Sequence, residues 1–177
     1  VQALGTDRLD YLVLTHFHAD HANGVERLMA RLDVRTLIVP DTQPDDPLRA
    51  RILALAQEEG AQIRFLTDDT WVPLGETTLS LYAPLGDGGA NEEGLSVLAT
   101  CGEFDALMTG DMNAAVERRL IKYHDLPDIE LLVAGHHGSA YSSSEELLLA
   151  TRPEYAVISV GYNSYGHPAP ETLERLG

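Results

Sequence analysis

Short apolar runs alternate with stretches of helical periodicity along this chain, which predicts a layered α/β fold. In the helical stretches apolar residues recur every three or four positions, as Val25, Leu28, Met29 and Leu32 do. The predicted strands span residues 9–15, 34–39, 62–66, 77–82, 95–101, 104–109, 129–134 and 155–160. The predicted helices span residues 24–32, 46–59, 112–124, 143–150 and 170–176.

Local signals set several of these boundaries. The second helix has Asp46 as a candidate N-cap, Pro47 in its first turn and Gly60 just beyond its end. The dipeptide Gly102-Glu103 between two apolar runs predicts a tight hairpin. The segment 85–94 is rich in glycine and acids and predicts a loop. No internal repeat is present, and a length of 177 residues predicts a single domain over residues 1–177.

Histidines and acids collect where apolar strands end. His16, Asp111 and the pair His136-His137 each follow a predicted strand directly. The segment that carries His167 follows the last predicted strand. In layered α/β folds, loops at the strand ends converge while the sheet stays rigid, so ligand sites collect there. We therefore expect these side chains to meet at one site.

The strongest chemical signal is the run Thr15-His16-Phe17-His18-Ala19-Asp20-His21. His16 and His18 are two positions apart, so in an extended segment they point the same way. Asp20 and His21 follow on the turn into the next helix. Neutral imidazole and carboxylate are ligands for Zn²⁺, and also for Mn²⁺ or iron. The alternative is a solvated histidine-rich loop, which the clustering of three of the seven histidines disfavours.

Three further motifs add candidates, each weaker alone. Thr109-Gly110-Asp111 places a carboxylate where its two oxygens could bridge two metal ions. In Gly135-His136-His137-Gly138-Ser139, one imidazole could bind metal while its neighbour moves protons or binds a substrate oxygen. In Asn163-Ser164-Tyr165-Gly166-His167-Pro168, His167 is a candidate ligand or a general acid for the leaving group.

Two other residues with reactive side chains are interpreted as structural. Cys101 lies in an apolar run and is expected to be a buried core thiol, and as the single cysteine it excludes an intramolecular disulfide. His124 lacks companion ligands and is interpreted as the exposed end of a helix. No serine or cysteine has the spacing of a nucleophile elbow, so covalent catalysis has no support.

Charge and hydropathy limit the partners and the membrane association that the chain can have. The formal net charge of −16 opposes broad electrostatic adhesion to nucleic acid or anionic membrane, although bound divalent cations would offset part of it at the site. No apolar run approaches the roughly 18 residues that span a bilayer, and the first residues lack the pattern of a signal peptide. These features predict a soluble domain without a transmembrane segment.

The motifs together resemble a known family. His16-Phe17-His18-Ala19-Asp20-His21 is similar to the HxHxDH signature of the metallo-β-lactamase superfamily. The His-His-Gly-Ser and Asn-x-Tyr-Gly-His-Pro motifs point more narrowly to the C-terminal hydrolase domain of ComEC-type competence proteins, which carry DNA through the membrane. That family has two or three strands before HxHxDH and continues past the last helix. The resemblance therefore implies an αββα sandwich truncated at the N-terminal strands and at the C-terminus, in a fragment of a longer protein.

The resemblance also implies a ligand set. His16 and His18 would hold one ion, and Asp20 and His21 would hold a second. Asp111 would bridge the two ions, and the second site would be completed by His136 or His137. Superfamily members often have a further ligand histidine in the middle of the chain, and none lies between Ala22 and Gly110 here. The expected cofactor is therefore one or two divalent ions, Zn or Mn.

The function that the resemblance implies is phosphodiester hydrolysis of DNA during competence-linked DNA uptake. The domain would work beside the membrane channel domain of the same polypeptide, on the extracytoplasmic face of the membrane. Metal-activated water would attack phosphorus, oriented by Asp20 or Asp111, and His136 or His167 would protonate the leaving oxygen.

Two alternatives stay open. One is a stand-alone hydrolase of small phosphodiesters or esters, such as a phosphocholine esterase. This alternative is favoured by the 12 basic residues, of which only Arg27 lies within ten residues after Asp20. The other is a catalytically weak relic domain that keeps a metal site.

Overall fold

The two parts of the chain build two different sheets. The computed structural model describes residues 5–86, 89 and 91–177. The chain divides into a first unit of Val1–Thr67 and a second unit of Asp68–Gly177. The prediction of a single domain over residues 1–177 stays a prediction.

The first unit contains a parallel sheet in the order β1-β2-β3. Its strands are β1 (Arg8–Val13), β2 (Asp33–Pro40) and β3 (Gln62–Leu66). Its helices are α1 (Ala19–Ala22), α2 (Val25–Met29) and α3 (Pro47–Glu58). Because the strands are parallel, their carboxyl ends lie at one edge, and the connection from β1 to α1 begins there.

The first unit is held by the apolar faces that the periodicity predicts. Val25 and Met29 of α2 are buried, and so are Ile52 and Ala56 of α3, one helical turn apart. Full burial of a large aliphatic side chain contributes about 1.5–3 kcal/mol. The predicted cap of α3 is confirmed, since the Asp46 carboxylate accepts a hydrogen bond from the backbone N–H of Arg49 at 2.7 Å.

The second unit contains a mixed sheet in the order β4-β5-β6-β7-β8-β9. Its strands are β4 (Thr70–Leu74), β5 (Thr77–Tyr82), β6 (Ser96–Cys101), β7 (Phe104–Met108), β8 (Leu131–Val133) and β9 (Tyr155–Val157). Neighbours from β4 to β7 are antiparallel, whereas β7, β8 and β9 are parallel. The predicted hairpin is confirmed: Cys101 pairs with Phe104 across the turn, and Gly102 has the positive φ of 62° that this turn favours.

The helices of the second unit are α4 (Ala114–Tyr123), α5 (Glu145–Thr151) and α6 (Pro170–Leu176). The core includes Leu107 of β7, Leu120 of α4, Leu132 of β8 and Leu147 of α5, all with no exposed surface. The helix predicted from residue 112 begins at Ala114 instead, because the Asn113 side chain caps it by accepting hydrogen bonds from the N–H groups of Ala115 and Val116.

One strand was missed from the sequence, and the expectations for Cys101 and His124 were wrong. Strand β4 was not predicted, because Pro73 and the exposed Trp71 interrupt its apolar pattern. Cys101 is exposed rather than buried, because it is the last residue of β6 beside the hairpin turn.

His124 is not the exposed end of a helix. Its imidazole is largely covered, its ring centroid is 4.4 Å from that of Tyr82, and its Nδ1 lies 3.5 Å from a carboxylate oxygen of Asp69. Burial and the nearby Asp69 carboxylate raise the pKa of the Tyr82 hydroxyl. The segment 85–94 forms no helix or strand in its described part, and its residues Asp87, Gly88 and Ala90 lie outside the described residues.

Within the described residues, no helix is both long and apolar enough to cross a membrane.

Candidate metal centre

Four candidate ligands lie on the connection between β1 and α2 of the first unit. We call His16, His18, Asp20 and His21 the early ligand set. The His16 ring centroid lies 4.9 Å from that of His18 and 4.1 Å from that of His21, so two further imidazoles lie beside the first histidine. Asp20 is exposed in the first turn of α1. The clustering that the motif predicts is therefore present among the imidazoles.

The local chain explains how the early set is held. His16 has no exposed surface, and its Nδ1 lies 3.0 Å from the Thr15 hydroxyl. The next residue, Phe17, is also buried in the core of the unit. His18 is extended at the N-cap of α1, and its carbonyl accepts the N–H of His21 at 3.0 Å. The buried residues His16 and Phe17 and the single turn of α1 thus hold the three imidazole rings together.

The remaining candidates lie at the carboxyl ends of the three parallel strands of the second unit. We call Asp111, His136, His137 and His167 the late ligand set. Asp111 follows β7, the histidine pair follows β8, and His167 follows β9. Parallel strands end at a common edge, which is why residues so distant in sequence come together. The structure thus brings these four side chains together, and their role as one functional site stays a prediction.

A buried carboxylate is the centre of the late set. Asp111 is only 3% exposed. One of its oxygens lies 3.6 Å from Nε2 of His136, and the other lies 3.9 Å from Nε2 of His137. The His167 ring centroid is 5.4 Å from that of His136. Burying an ionised carboxylate is costly unless a partner compensates its charge, so this arrangement favours a positive charge beside Asp111.

The tautomer of His137 follows from its other contact. Its Nδ1 lies 2.7 Å from the carbonyl oxygen of Ser159. A carbonyl can only accept, so Nδ1 carries a proton, and in the neutral ring Nε2 then presents a lone pair. The same backbone contact is the usual way in which proteins orient a metal-binding imidazole. Asp111 thus faces the nitrogen that is suited to bind a cation.

The backbone that carries the histidine pair is strained. His136 (φ 48°, ψ 48°) and His137 (φ 55°, ψ 26°) are both in the left-handed region, inside the short 3₁₀ turn Gly135–Gly138. Residues with a Cβ rarely adopt this conformation, and two in succession occur where the surroundings impose it. Gly138 follows with φ 81°, and a Cβ there would lie 2.8 Å from the Cβ of Pro168. The glycine is therefore required by the close approach of the segment after β9.

That segment is organised by one side chain. Asn163 donates to the carbonyl oxygens of Gly161 and His167 and accepts from the N–H groups of Tyr165 and His167. The result is a closed loop that places His167 against His136 and leaves Tyr165 exposed. The asparagine of the Asn-x-Tyr-Gly-His-Pro motif is thus a structural residue for this loop.

The donor chemistry of both sets fits a divalent ion. Imidazole nitrogens and carboxylate oxygens are the ligands that Zn²⁺ and Mn²⁺ take in proteins. Within the late set, a carboxylate oxygen of Asp111 lies 3.6 Å from Nε2 of His136 and the other lies 3.9 Å from Nε2 of His137, so both kinds of donor are neighbours. These residues would hold the ion.

Sequence reasoning missed the residues that support the late set. The loop that follows the histidine pair is bound by Glu117 of α4 and Arg175 of α6. Burial raises the pKa of the Glu117 carboxyl, which hydrogen bonds from Ser144 and Ser143 and the charge of Arg175 partly oppose. One signal was available: Glu117 lies next to Val116 on the apolar face of α4, where a charged side chain is out of pattern.

The fold and the two ligand sets are those of a metal-binding α/β protein. Comparison of the sequence with known families gives the same result. The family model of the metallo-beta-lactamase superfamily matches residues 2–162. The chain therefore belongs to the metallo-β-lactamase superfamily, and the expected fold class and the general class of metal-dependent hydrolase are confirmed.

The chain is similar over nearly its whole length to three curated proteins. It is 32% identical over 180 residues to competence protein ComA of Neisseria gonorrhoeae, covering 99% of this chain and 24% of that protein. It is 29% identical over 177 residues to ComE operon protein 3 of Bacillus subtilis, covering 98% and 23%. It is 28% identical to recombination protein 2 of Haemophilus influenzae, covering 95% and 20%. The resemblance to competence proteins is confirmed, and the chain spans about a quarter of their length or less.

Solved structures show the same fold. CmlA, a diiron beta-hydroxylase from Streptomyces venezuelae, is similar with a TM-score of 0.65 and 18% identity, covering 96% of this chain and 41% of that one. The metallo-beta-lactamase fold protein YhfI from Bacillus subtilis is similar with a TM-score of 0.63 and 12% identity, covering 95% and 71%. At these identities the likeness concerns the fold alone.

Proposed function

We propose that this chain is a metal-dependent phosphodiesterase that cleaves DNA. The observation that carries the proposal is the buried Asp111 carboxylate with an imidazole Nε2 beside each of its oxygens, in a chain of the metallo-β-lactamase superfamily. Such a site is suited to hydrolysis because a divalent cation acts as a Lewis acid that makes water nucleophilic near neutral pH and neutralises phosphoryl charge.

In this proposal one or two Zn or Mn ions would be held by residues of the early and late ligand sets. His16 and His18 would hold the first ion, and Asp20 and His21 would hold the second. Asp111 would bridge them, and His136 or His137 would complete the second site. Two features support this scheme: each set consists of the same donor types, and the two Asp111 oxygens lie 3.6 and 3.9 Å from different imidazole nitrogens.

The remaining roles are to orient the attacking water and to protonate the leaving oxygen. Asp111 or Asp20 accepts a hydrogen bond from the attacking water and orients it toward phosphorus. His136 or His167 gives a proton to the leaving oxygen. Both imidazoles are partly exposed and their ring centroids are 5.4 Å apart, so either can reach a substrate that enters from solvent.

Of the curated relatives ComE operon protein 3 and competence protein ComA, the second carries competence in its name, and competence is the uptake of DNA, so DNA is the proposed substrate. The same relatives are about four times as long as this chain, which leaves room for further domains. We place the domain beside a membrane channel domain of the same polypeptide, on the extracytoplasmic face of the membrane.

A second candidate function is hydrolysis of a small phosphodiester or ester, such as a phosphocholine ester. The observation that favours it is the net charge of −16, since a site that tracks a nucleic-acid backbone relies on lysine and arginine. A third reading, a relic site with little activity, predicts less than one bound ion per chain by elemental analysis.

The test is a substrate screen on the chain reconstituted separately with Zn²⁺ and Mn²⁺. Single-stranded DNA, duplex DNA, bis-p-nitrophenyl phosphate, a phosphocholine ester, a lactam and a thioester are offered under the same conditions. We expect hydrolysis of DNA and of bis-p-nitrophenyl phosphate, with loss of both in His18→Ala. His124→Gln is the matched control, because His124 lies outside both ligand sets. Turnover of the phosphocholine ester without cleavage of either DNA would favour the second candidate.

A further inference from the structure

The loop 135–144 carries an unusual amount of backbone strain for a segment that presents candidate metal ligands. His136, His137 and Ser143 all have positive φ values, of 48°, 55° and 50°. Three left-handed residues with side chains in one short loop are unfavourable unless the surroundings fix them. Something outside the loop must therefore hold its backbone in place.

One part of that support is a buried carboxylate. Glu117 of α4 has no exposed surface. Its two oxygens accept the backbone N–H groups of Ser143 at 2.7 Å and Ser144 at 2.8 Å. Burying a carboxylate is costly, so its presence here is best explained by the two buried N–H donors that it satisfies.

The other part is a guanidinium that binds the carbonyl oxygens of the same loop. Arg175 of α6 donates to the carbonyls of Ala140, Ser142 and Ser143, at 3.2, 2.8 and 3.1 Å. Thr172, one turn earlier on α6, donates its hydroxyl to the carbonyl of Ser139 at 2.7 Å. Two helices thus hold the loop, one by its N–H groups and the other by its carbonyls.

These contacts continue to the ligands themselves. The Ser143 hydroxyl accepts the N–H of Gly135 at 3.0 Å, the residue just before the histidine pair. The Ser142 hydroxyl donates to the carbonyl of Met112 at 2.7 Å, next to Asp111. The N–H of His136 donates to the carbonyl of Gly110 at 3.0 Å. The loop and the Asp111 segment are therefore fixed as one piece.

We infer that Glu117 and Arg175 are positioning residues that hold His136 and His137 in their ligand-presenting conformation before any metal binds. This inference rests on the proposed function for the identity of the ligands, and it assigns neither residue contact with metal or substrate. Its consequence is that the late ligand set is preformed, so metal binding does not have to order it. Residues that orient ligands in this way typically change metal affinity 10- to 100-fold when replaced.

The experiment compares two kinds of variants on the intact chain. Glu117→Gln keeps the size of the side chain but replaces one acceptor oxygen with a donor, and Arg175→Lys keeps the charge but loses the fork that reaches three carbonyls. The matched controls are Glu146→Gln and Arg118→Lys, which make the same two substitutions at an exposed ion pair between α5 and α4. Thermal unfolding of all variants verifies that they fold.

The first readout is amide hydrogen exchange of residues 135–144 in the metal-free protein. We expect strong protection in the wild type and in both controls, and at least tenfold faster exchange of this loop in Glu117→Gln and Arg175→Lys. The second readout is the Zn²⁺ affinity by competition with a chelator, expected to fall about 10- to 100-fold in the same two variants. Arg175→Lys provides the measurement if Glu117→Gln does not fold.

The outcomes separate this inference from the proposed function. If the wild type binds no divalent ion, the proposed function fails, yet the exchange data still decide whether the two residues hold the loop. Exchange of residues 135–144 at the rate of the controls in both variants would overturn the inference. So would a wild-type loop that becomes protected only when Zn²⁺ is added.

Discussion

The early and late ligand sets contain the same donor types but are built in different ways. The early set lies within one short connection, where a buried His16 and a single turn of helix gather three imidazoles. The late set is assembled from the ends of three strands, with the distant Asp111 and His167 brought to one edge by the sheet. The first is encoded by neighbouring residues, whereas the second depends on tertiary structure.

This difference indicates which ligand set is more sensitive to substitutions elsewhere in the chain. The early set needs only its own sequence and a few core anchors such as Phe17. The late set holds His136 and His137 in a left-handed backbone and therefore relies on support from α4 and α6. We expect substitutions away from the ligands to affect the late set far more than the early one.

The largest expected effect comes from removing a ligand from each set. His18→Ala and Asp111→Ala should each lower phosphodiesterase turnover by about a thousandfold, because metal-assisted charge stabilisation is worth several kcal/mol. If both sets serve one centre, the double variant should be no worse than the poorer single variant. Steady-state kinetics on bis-p-nitrophenyl phosphate provide the measurement, with circular dichroism to verify folding. Losses that multiply in the double variant would indicate two independent sites.

The next effect contrasts two glycines with similar backbones. Gly138 (φ 81°) and Gly60 (φ 78°) are both left-handed, but only the first meets Pro168 when a Cβ is added. Gly60→Ala should cost about 1 kcal/mol of unfolding free energy from the backbone alone. Gly138→Ala should cost about 2–4 kcal/mol and also weaken metal binding, since the clash lies beside the histidine pair. Denaturant unfolding measures the loss of unfolding free energy in both variants. Equal losses would show that the contact between a Cβ at position 138 and Pro168 has no effect on stability.

A smaller effect compares the helix caps of the two units. Asp46→Ala and Asn113→Ala each remove a side chain that caps a helix, so each should cost about 1 kcal/mol of stability. Asn113 also donates to the Glu92 side chain and lies two residues after Asp111. We therefore expect only Asn113→Ala to lower metal affinity, measured by chelator competition. A matching loss in Asp46→Ala would show that the effect is not local to the late set.

The smallest effect is a pH dependence of stability. Burial raises the pKa of Glu117 above its ordinary value near 4.5, so the folded state binds this proton more tightly than the unfolded state does. The stability that this proton contributes is present below the unfolded pKa and is lost as pH rises through the folded pKa.

Glu117→Gln removes this titration. The free energy of unfolding of the wild type relative to Glu117→Gln should therefore decrease as pH rises from about 4 toward neutrality. Denaturant unfolding of both proteins at several pH values measures the difference. An increase with pH would mean that the hydrogen bonds from Ser143 and Ser144, together with Arg175, outweigh the cost of burial.

The sequence predicted the fold best where local signals agree. Helix α3, with Asp46 before it and Gly60 after it, and strands β3 and β5 were located within a residue, because capping, turn chemistry and periodicity all mark the same boundaries. It failed where tertiary contacts override pattern. Strand β4 contains Pro73 and is recognisable only from its pairing with β5, and the exposure of Cys101 depends on its place beside the hairpin turn.

The candidate site divides in the same way. Every proposed ligand could be named from sequence, since histidines and acids at strand ends are visible as motifs. The support of the late set could not, because Glu117 contacts residues 26 and 27 positions away and nothing local marks it as a partner of Ser143. The left-handed backbone of His136 and His137 was likewise hidden, since flanking glycines do not reveal the conformation of the residues between them.

The most direct test of the central claim is a crystal structure of the Zn²⁺-loaded chain with an anomalous difference map at the zinc edge. We predict a single peak, or a pair about 4 Å apart or less, bonded by histidines of the early set and by Asp111 of the late set. Separate peaks that each touch only one set, or zinc bound at neither, would contradict the account.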